Sequence, residues 1–108
     1  MPHYNISLEK HVLRNINSYM DRYATGEFVL FSIGNLSDSV ILDGFPAYLL
    51  EYTATMNDKF QTPITVLEYF IIHNNNLFKI KFNQEGYGIN SLNKNAVDSI
   101  MSSLDFRK

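Results

Sequence analysis

Three histidines are the first candidates for acid–base or metal chemistry, because imidazole serves both roles near neutral pH. His3 lies at the amino terminus, His11 falls on a predicted helix and His73 falls at a predicted hairpin tip. No carboxylate lies beside any of them at metal-ligand spacing, and a site needs groups that converge. We therefore expect surface histidines, with no metal and no other cofactor.

Motifs for nucleophilic catalysis and phosphate binding are not found in the sequence. No serine lies in a Gly-x-Ser-x-Gly elbow, and the lack of cysteine excludes thiolate nucleophiles and sulfur-ligated metals. Gly86 and Gly88 flank Tyr87 without the Lys-Ser of a phosphate loop, which is typical of turn glycines. We expect a protein that is not an enzyme.

Two glutamates offer another form of acid–base or cation chemistry. Glu51 and Glu68 lie on two long predicted strands and would face one another if those strands pair. The competing interpretation is a solvated sheet face, on which Lys79 and Lys81 would form cross-strand pairs with them.

The aromatic content favours binding over catalysis. The chain has 7 Tyr and 8 Phe, and tyrosine suits a surface that needs an apolar body with a polar tip. The competing interpretation is that the hydroxyls only border a small core. The predicted binding surface consists of Tyr48, Glu51, Tyr52, Glu68, Tyr69 and Tyr87.

Two amphipathic helices bracket these residues. Apolar residues at steps of three and four predict one helix over Leu8–Tyr23, with Ser7 as its N-cap, and a second over Leu92–Ser103. Residues 1–6 are expected to be flexible.

Between the helices the pattern changes to runs typical of strands, bounded by Gly, Asn, Asp or Pro. Asn74 and Asn75 predict a hairpin, because asparagine enters the left-handed region easily. The predicted fold is α+β: one domain over 1–108, with an antiparallel meander of about four strands between the two helices. The runs are Phe28–Ile33, Val40–Leu42, Ala47–Met56, Thr62–His73 and Leu77–Phe82.

Composition limits the partners. The 108 residues are 45% hydrophobic and carry a net charge of −2, so the chain can build a core but has no basic patch for nucleic acid. No apolar run approaches the roughly 20 residues of a membrane helix. We expect a soluble protein, which would be extracytoplasmic if a leader has been removed.

One strand entry resembles a known family. The stretch Gly44–Tyr48, followed by Leu50, Tyr52 and Thr53, is similar to the strand entry of PsbP-like proteins. The aromatic hairpin Leu67–Phe82 and the closing Ser103–Phe106 "Ser-x-x-Phe" element run parallel to that family in order.

The resemblance implies an α/β/α sandwich and a non-catalytic accessory function. Members include extrinsic subunits of the oxygen-evolving photosystem and a Ran-binding branch. They usually begin with amino-terminal strands that this chain lacks, so the sequence predicts an open sheet edge, a protein partner or self-association. The alternative is a small-ligand-binding or enzymatic domain of the NTF2-like or cystatin-like kind, with its tyrosines around a pocket.

Overall fold

The computed structural model describes residues 3–104, with side chains from Leu8 onward, so Asp105 and Phe106 of the Ser-x-x-Phe element lie outside it. The elements follow in the order α1 (His3–Ala24), β1 (Phe28–Leu42), β2 (Phe45–Met56), β3 (Pro63–His73), β4 (Asn76–Glu85) and α2 (Ser91–Ser102). The strands form one antiparallel sheet in sequence order. The predicted α+β meander between two helices is confirmed.

Helix α1 packs on the sheet through most of its predicted apolar stripe, but Met20 and Tyr23, which the spacing also placed in the stripe, are exposed. Leu8, Val12, Ile16 and Tyr19 are buried in one cluster, since steps of three and four place them on one side of a helix. The N-cap prediction was wrong: α1 begins at His3, so Ser7 lies inside the helix. Flexibility of residues 1–6 stays a prediction.

Strand β1 is one long element where the sequence predicted two short runs. It spans Phe28–Leu42 without a break. The polar stretch that suggested a break is absorbed by register shifts between Ile33 and Asn35 and between Ser37 and Val40, with a third between Phe28 and Leu30. Such irregularities bend a strand without ending it.

Two-residue turns connect β1 to β2 and β3 to β4. Asp43 and Gly44 both have positive φ, as do Asn74 and Asn75, which is the backbone of the tight turns that suit antiparallel strands. The predicted asparagine hairpin is confirmed, because His73 pairs with Asn76 across the turn.

The two helices cover opposite faces of the sheet. Side chains that point to α1 include Leu50, Tyr52, Val66 and Phe70, and we call their side the α1 face. The opposite side, the α2 face, carries Leu49, Leu67, Tyr69 and Ile71 packed with Val97 and Met101 of α2. The expectation of a solvated sheet face was wrong for the centre of the sheet: all residues from Thr65 to Ile71 in β3 are buried.

A polar network holds the loop between β4 and α2. The fully buried Thr65 hydroxyl lies 3.0 Å from the Thr53 hydroxyl, donates to the Gly86 carbonyl at 2.8 Å and accepts from the Gly88 amide at 2.7 Å. Asn90 caps α2 by accepting from the Asn93 amide at 2.8 Å. These bonds fix the start of α2 relative to β3.

No helix in the described part of the chain is long and apolar enough to cross a membrane.

Thr65→Val tests the loop network. The isosteric change removes a buried hydroxyl and leaves the Gly88 amide and the Gly86 carbonyl without that partner, so the free energy of unfolding should fall by about 1–3 kcal/mol. Urea unfolding measures the effect. Thr62→Val, at an exposed position on the preceding loop, is the matched control and should change stability by less than about 0.5 kcal/mol. Equal effects at the two positions would contradict the network's role.

Candidate functional site

The structure divides the predicted binding surface between three places. Tyr48, Tyr52 and Glu68 lie on the α1 face, where Tyr48 is only partly buried and the other two are buried. Tyr69 is buried on the α2 face. Tyr87 lies in the loop before α2 and is 75% exposed. The six residues therefore do not form one continuous surface.

The predicted carboxylate pair does not form. Glu51 pairs with Leu67, whereas Glu68 pairs with Leu50 on one side and Lys81 on the other. Directly opposed residues of antiparallel strands share a face and successive residues alternate, so Glu51 lies on the α2 face and Glu68 on the α1 face. The hypothesis that Glu51 and Glu68 face each other was wrong, because it required a register shifted by one residue.

Glu68 instead lies in a buried network beneath α1. Its side chain has no solvent exposure, and its Oε1 accepts a hydrogen bond of 2.8 Å from the hydroxyl of Tyr19. The rings of Tyr19 and Tyr52 have centroids 4.7 Å apart. Helix α1 thus contributes the donor Tyr19, β3 contributes the acceptor Glu68, and β2 contributes the ring of Tyr52 that packs against Tyr19.

The second carboxylate oxygen of Glu68 has only an electrostatic partner. The Lys81 ammonium lies 3.7 Å from Oε2, which is longer than a hydrogen bond. No atom in residues 3–104 hydrogen-bonds to Oε2. The same ammonium lies 5.7 Å from the ring centre of Tyr19. Lys81 therefore balances the charge of Glu68 from the rim of the core, with part of its side chain in solvent.

Burial changes the acid–base behaviour of the tyrosines around this network. It is the main cause that raises the pKa of Tyr19, and hydrogen bonding with Tyr52 and Glu68 raises it further. Burial also raises the pKa of Tyr52, although the hydrogen bond with Tyr19 opposes that effect. Both phenols stay protonated in the folded protein, so Tyr19 serves as a donor and neither is poised to act as a base.

A small cavity of about 170 Å³ adjoins the network but does not open onto the carboxylate. Tyr52, Val66 and Phe28 supply apolar wall, and Arg22 and Lys81 lie at its border. Both cations already have anionic partners, since Arg22 pairs with Glu27 and Lys81 with Glu68. Neither cation at the border of the cavity is therefore unpaired and available to a ligand.

Metal ligands do not cluster in the described residues. No group of three or more His, Asp or Glu side chains within 3–104 could hold an ion. His73 lies in β3, and its ring is 4.8 Å from that of Phe45 in an edge-on contact. His11 lies on α1, and the side chain of His3 is outside the described part.

An exposed apolar site lies between β4 and α2. Helix α2 buries Val97 and Met101 against the sheet, but Leu92 and Ile100 on its adjoining side are 78% and 50% exposed. These two residues and Ala96 follow one another at steps of four, which places them in one row. We call this row the α2 stripe.

A groove of about 410 Å³ lies between β4 and two residues of the α2 stripe, Ala96 and Ile100, and we call it the edge groove. The sequence predicted an amphipathic helix here but did not show that some of its apolar residues stay exposed. The sequence did contain a signal for this row. Helix α2 has five apolar residues in about three turns, which spread over a wider side of the helix than the one that Val97 and Met101 bury against the sheet. The residues lining the edge groove include Phe82, Gln84, Ile89, Ala96, Val97 and Ile100.

Comparison of the chain with family models, with curated proteins and with solved structures gave no match in any of the three.

Tyr19→Phe tests the buried network. The variant removes the only hydrogen-bond donor to Glu68 in the described residues, so we expect the free energy of unfolding to fall by about 1–3 kcal/mol. Adding Glu68→Leu removes the stranded charge as well, and replacement of a buried polar pair by apolar groups is often neutral or stabilising. Urea unfolding should show the double variant to be more stable than Tyr19→Phe alone. A double variant that is less stable than the single would contradict this account.

The raised tyrosine pKa values predict a loss of stability in alkaline solution. Above the usual pKa of 10.0 the unfolded chain releases the Tyr19 proton and the folded chain keeps it. Stability is therefore complete below about pH 10 and falls above it, by about 1.4 kcal/mol per pH unit for each such tyrosine. Measured by urea unfolding between about pH 10 and 11, where the unfolded tyrosine is only partly ionised, the free energy of unfolding of Tyr19→Phe should fall with pH by about 1 kcal/mol per pH unit less than that of wild type. An identical slope in wild type and variant would contradict the assignment.

Proposed function

We propose that the protein is a non-catalytic binding module that takes up an extended segment of a protein partner along β4 and beneath the α2 stripe. The observation that carries this proposal is the edge groove, because it joins exposed apolar side chains to a strand with an open edge. A row of unpaired backbone groups beside an apolar surface is the arrangement that strand addition requires.

The two edges of the sheet are not equivalent. Strand β1 has three register shifts against β2, and irregular backbone of this kind disfavours pairing on the outer side. Strand β4 pairs with β3 without any shift from Asn76 to Glu85. A regular ladder on the inner side leaves regularly spaced donors and acceptors on the outer side, so β4 is the edge suited to a new strand.

A strand added to β4 would be recognised on both of its sides. Its alternate side chains would point toward the α2 stripe, where Ala96 and Ile100 offer apolar contact. The remaining side chains would lie beside Lys79 and Lys81, which occupy the other face of β4. The module would therefore favour segments that alternate apolar with acidic or polar residues.

The alternative, a small-ligand domain with tyrosines around a pocket, has less support. It required Tyr48, Tyr52, Tyr69 and Tyr87 to converge, and these residues occupy both faces of the sheet and an exposed loop. The PsbP-like resemblance remains a prediction, and an accessory role without catalysis agrees with the binding function proposed.

Selection from a displayed library of random peptides about ten residues long, the length of an extended strand, tests the proposal. Wild-type protein should select peptides with alternating apolar residues. The double variant Leu92→Glu/Ile100→Glu should bind those peptides at least about tenfold more weakly, because it places charge in the apolar contact.

The matched control is Leu13→Glu/Met20→Glu, which adds the same charges at positions of α1 that are 47% and 53% exposed. It should retain wild-type affinity. If no peptide distinguishes the two double variants, with both folded by circular dichroism, the proposed binding site is wrong.

A further inference from the structure

We propose that the segment taken up at the edge groove is β4 of a second copy of this chain, paired antiparallel about a two-fold axis at Phe82. This inference rests on the proposed function, since it uses the same edge and the same apolar row. It adds the identity of the partner and the register in which the two copies meet.

The charges on β4 favour this register. In a symmetric pair centred on Phe82, Lys79 of each copy lies opposite Glu85 of the other, on the face that both residues already share with Lys81. Within the described residues neither Lys79 nor Glu85 has an ion-pair partner. The dimer would therefore pair two lysines and two glutamates that are otherwise unpaired, and opposite charges directly across strands are stabilising.

Neighbouring registers lose this advantage. Centring the pair on Ile80 would place Lys79 opposite Lys81 of the second copy. Centring it on Lys81 would place the two copies of Lys81 opposite each other. Both registers oppose like charges, which repel. Centring on Asn83 would oppose Lys81 and Glu85, but Lys81 already balances the buried Glu68, and the paired segment would be shorter. The register at Phe82 has no directly opposed like charges and keeps the Lys81–Glu68 pair.

The apolar contacts share the same centre. Phe82 lines the edge groove, so a two-fold axis at this residue brings the two grooves together. The axis is perpendicular to the sheet, so both α2 helices lie on the same side of it. The groove residues Ala96 and Ile100 of the two copies then lie beside the shared edge. A two-fold interface uses the same patch twice, and the α2 stripe combines with β4 into such a self-complementary patch.

Sedimentation equilibrium on the full chain tests the proposal through a charge exchange. Wild type should form a dimer that dissociates on dilution. Lys79→Glu should raise the dimer dissociation constant by about tenfold or more, because two attractions become two repulsions. The double variant Lys79→Glu/Glu85→Lys, in which the opposed charges are again complementary, should return to near the wild-type value.

Lys10→Glu, at an exposed position of α1, is the control for net charge and should dimerise as wild type does. A wild-type chain that is monomeric at about 1 mM would overturn the inference. So would a double variant that dissociates as readily as Lys79→Glu, since the register would then be wrong.

These failures are distinguishable from failure of the proposed function. If the chain is monomeric but selects peptides whose binding depends on Leu92 and Ile100, the second copy is wrong and the binding module stands. If it neither dimerises nor selects such peptides, both proposals fail.

Discussion

Burial of β3 on both sides is the constraint on which the rest of the structure depends. Because β3 has apolar side chains on both of its sides, one helix cannot cover them all, and α1 and α2 cover opposite faces of the sheet. This requirement also explains the buried polar groups. Thr65 and Glu68 interrupt the apolar strand, and each is supplied with partners from a different element: the loop before α2 for Thr65, and α1 with β4 for Glu68.

Once both faces are covered, the surfaces left for recognition are the two edges and the outer sides of the helices. Irregular pairing makes β1 a poor template, and the α2 stripe gives β4 an apolar border that an isolated edge would lack. The proposed function depends on this arrangement, because α2 buries Val97 and Met101 against the sheet and leaves Leu92 and Ile100 exposed, with Ile100 beside the β4 edge.

The spacing of apolar residues along the chain was enough to predict the helices and strands, but not which side chains from different elements would meet. Steps of three and four residues identified both helices, and the asparagines at 74 and 75 identified a turn that needs positive φ. These are properties of neighbouring residues. The error at Glu51 and Glu68 arose from register, which depends on how two strands separated by a loop align, and a shift of one residue moves a side chain to the other face.

The role of Tyr19 was equally hidden in the sequence. Its helical spacing marked it as a core residue, but its hydroxyl meets Glu68 across 49 positions of the chain. Such a contact is set by the angle and height at which α1 crosses the sheet. The expected break in β1 failed for a related reason, because polar residues that would end a strand in isolation are held in place by a continuous neighbour.

The difference between the two edges has a further meaning for assembly. If two copies join through β4, the sheet of eight strands that results has β1 at both ends, and β1 is the edge whose backbone is distorted. Growth of the sheet would stop there, since neither end repeats the surface that made the first contact. In such a dimer the irregular backbone of β1 would prevent further strands from adding at either end, so the assembly would stay finite instead of growing into a fibre.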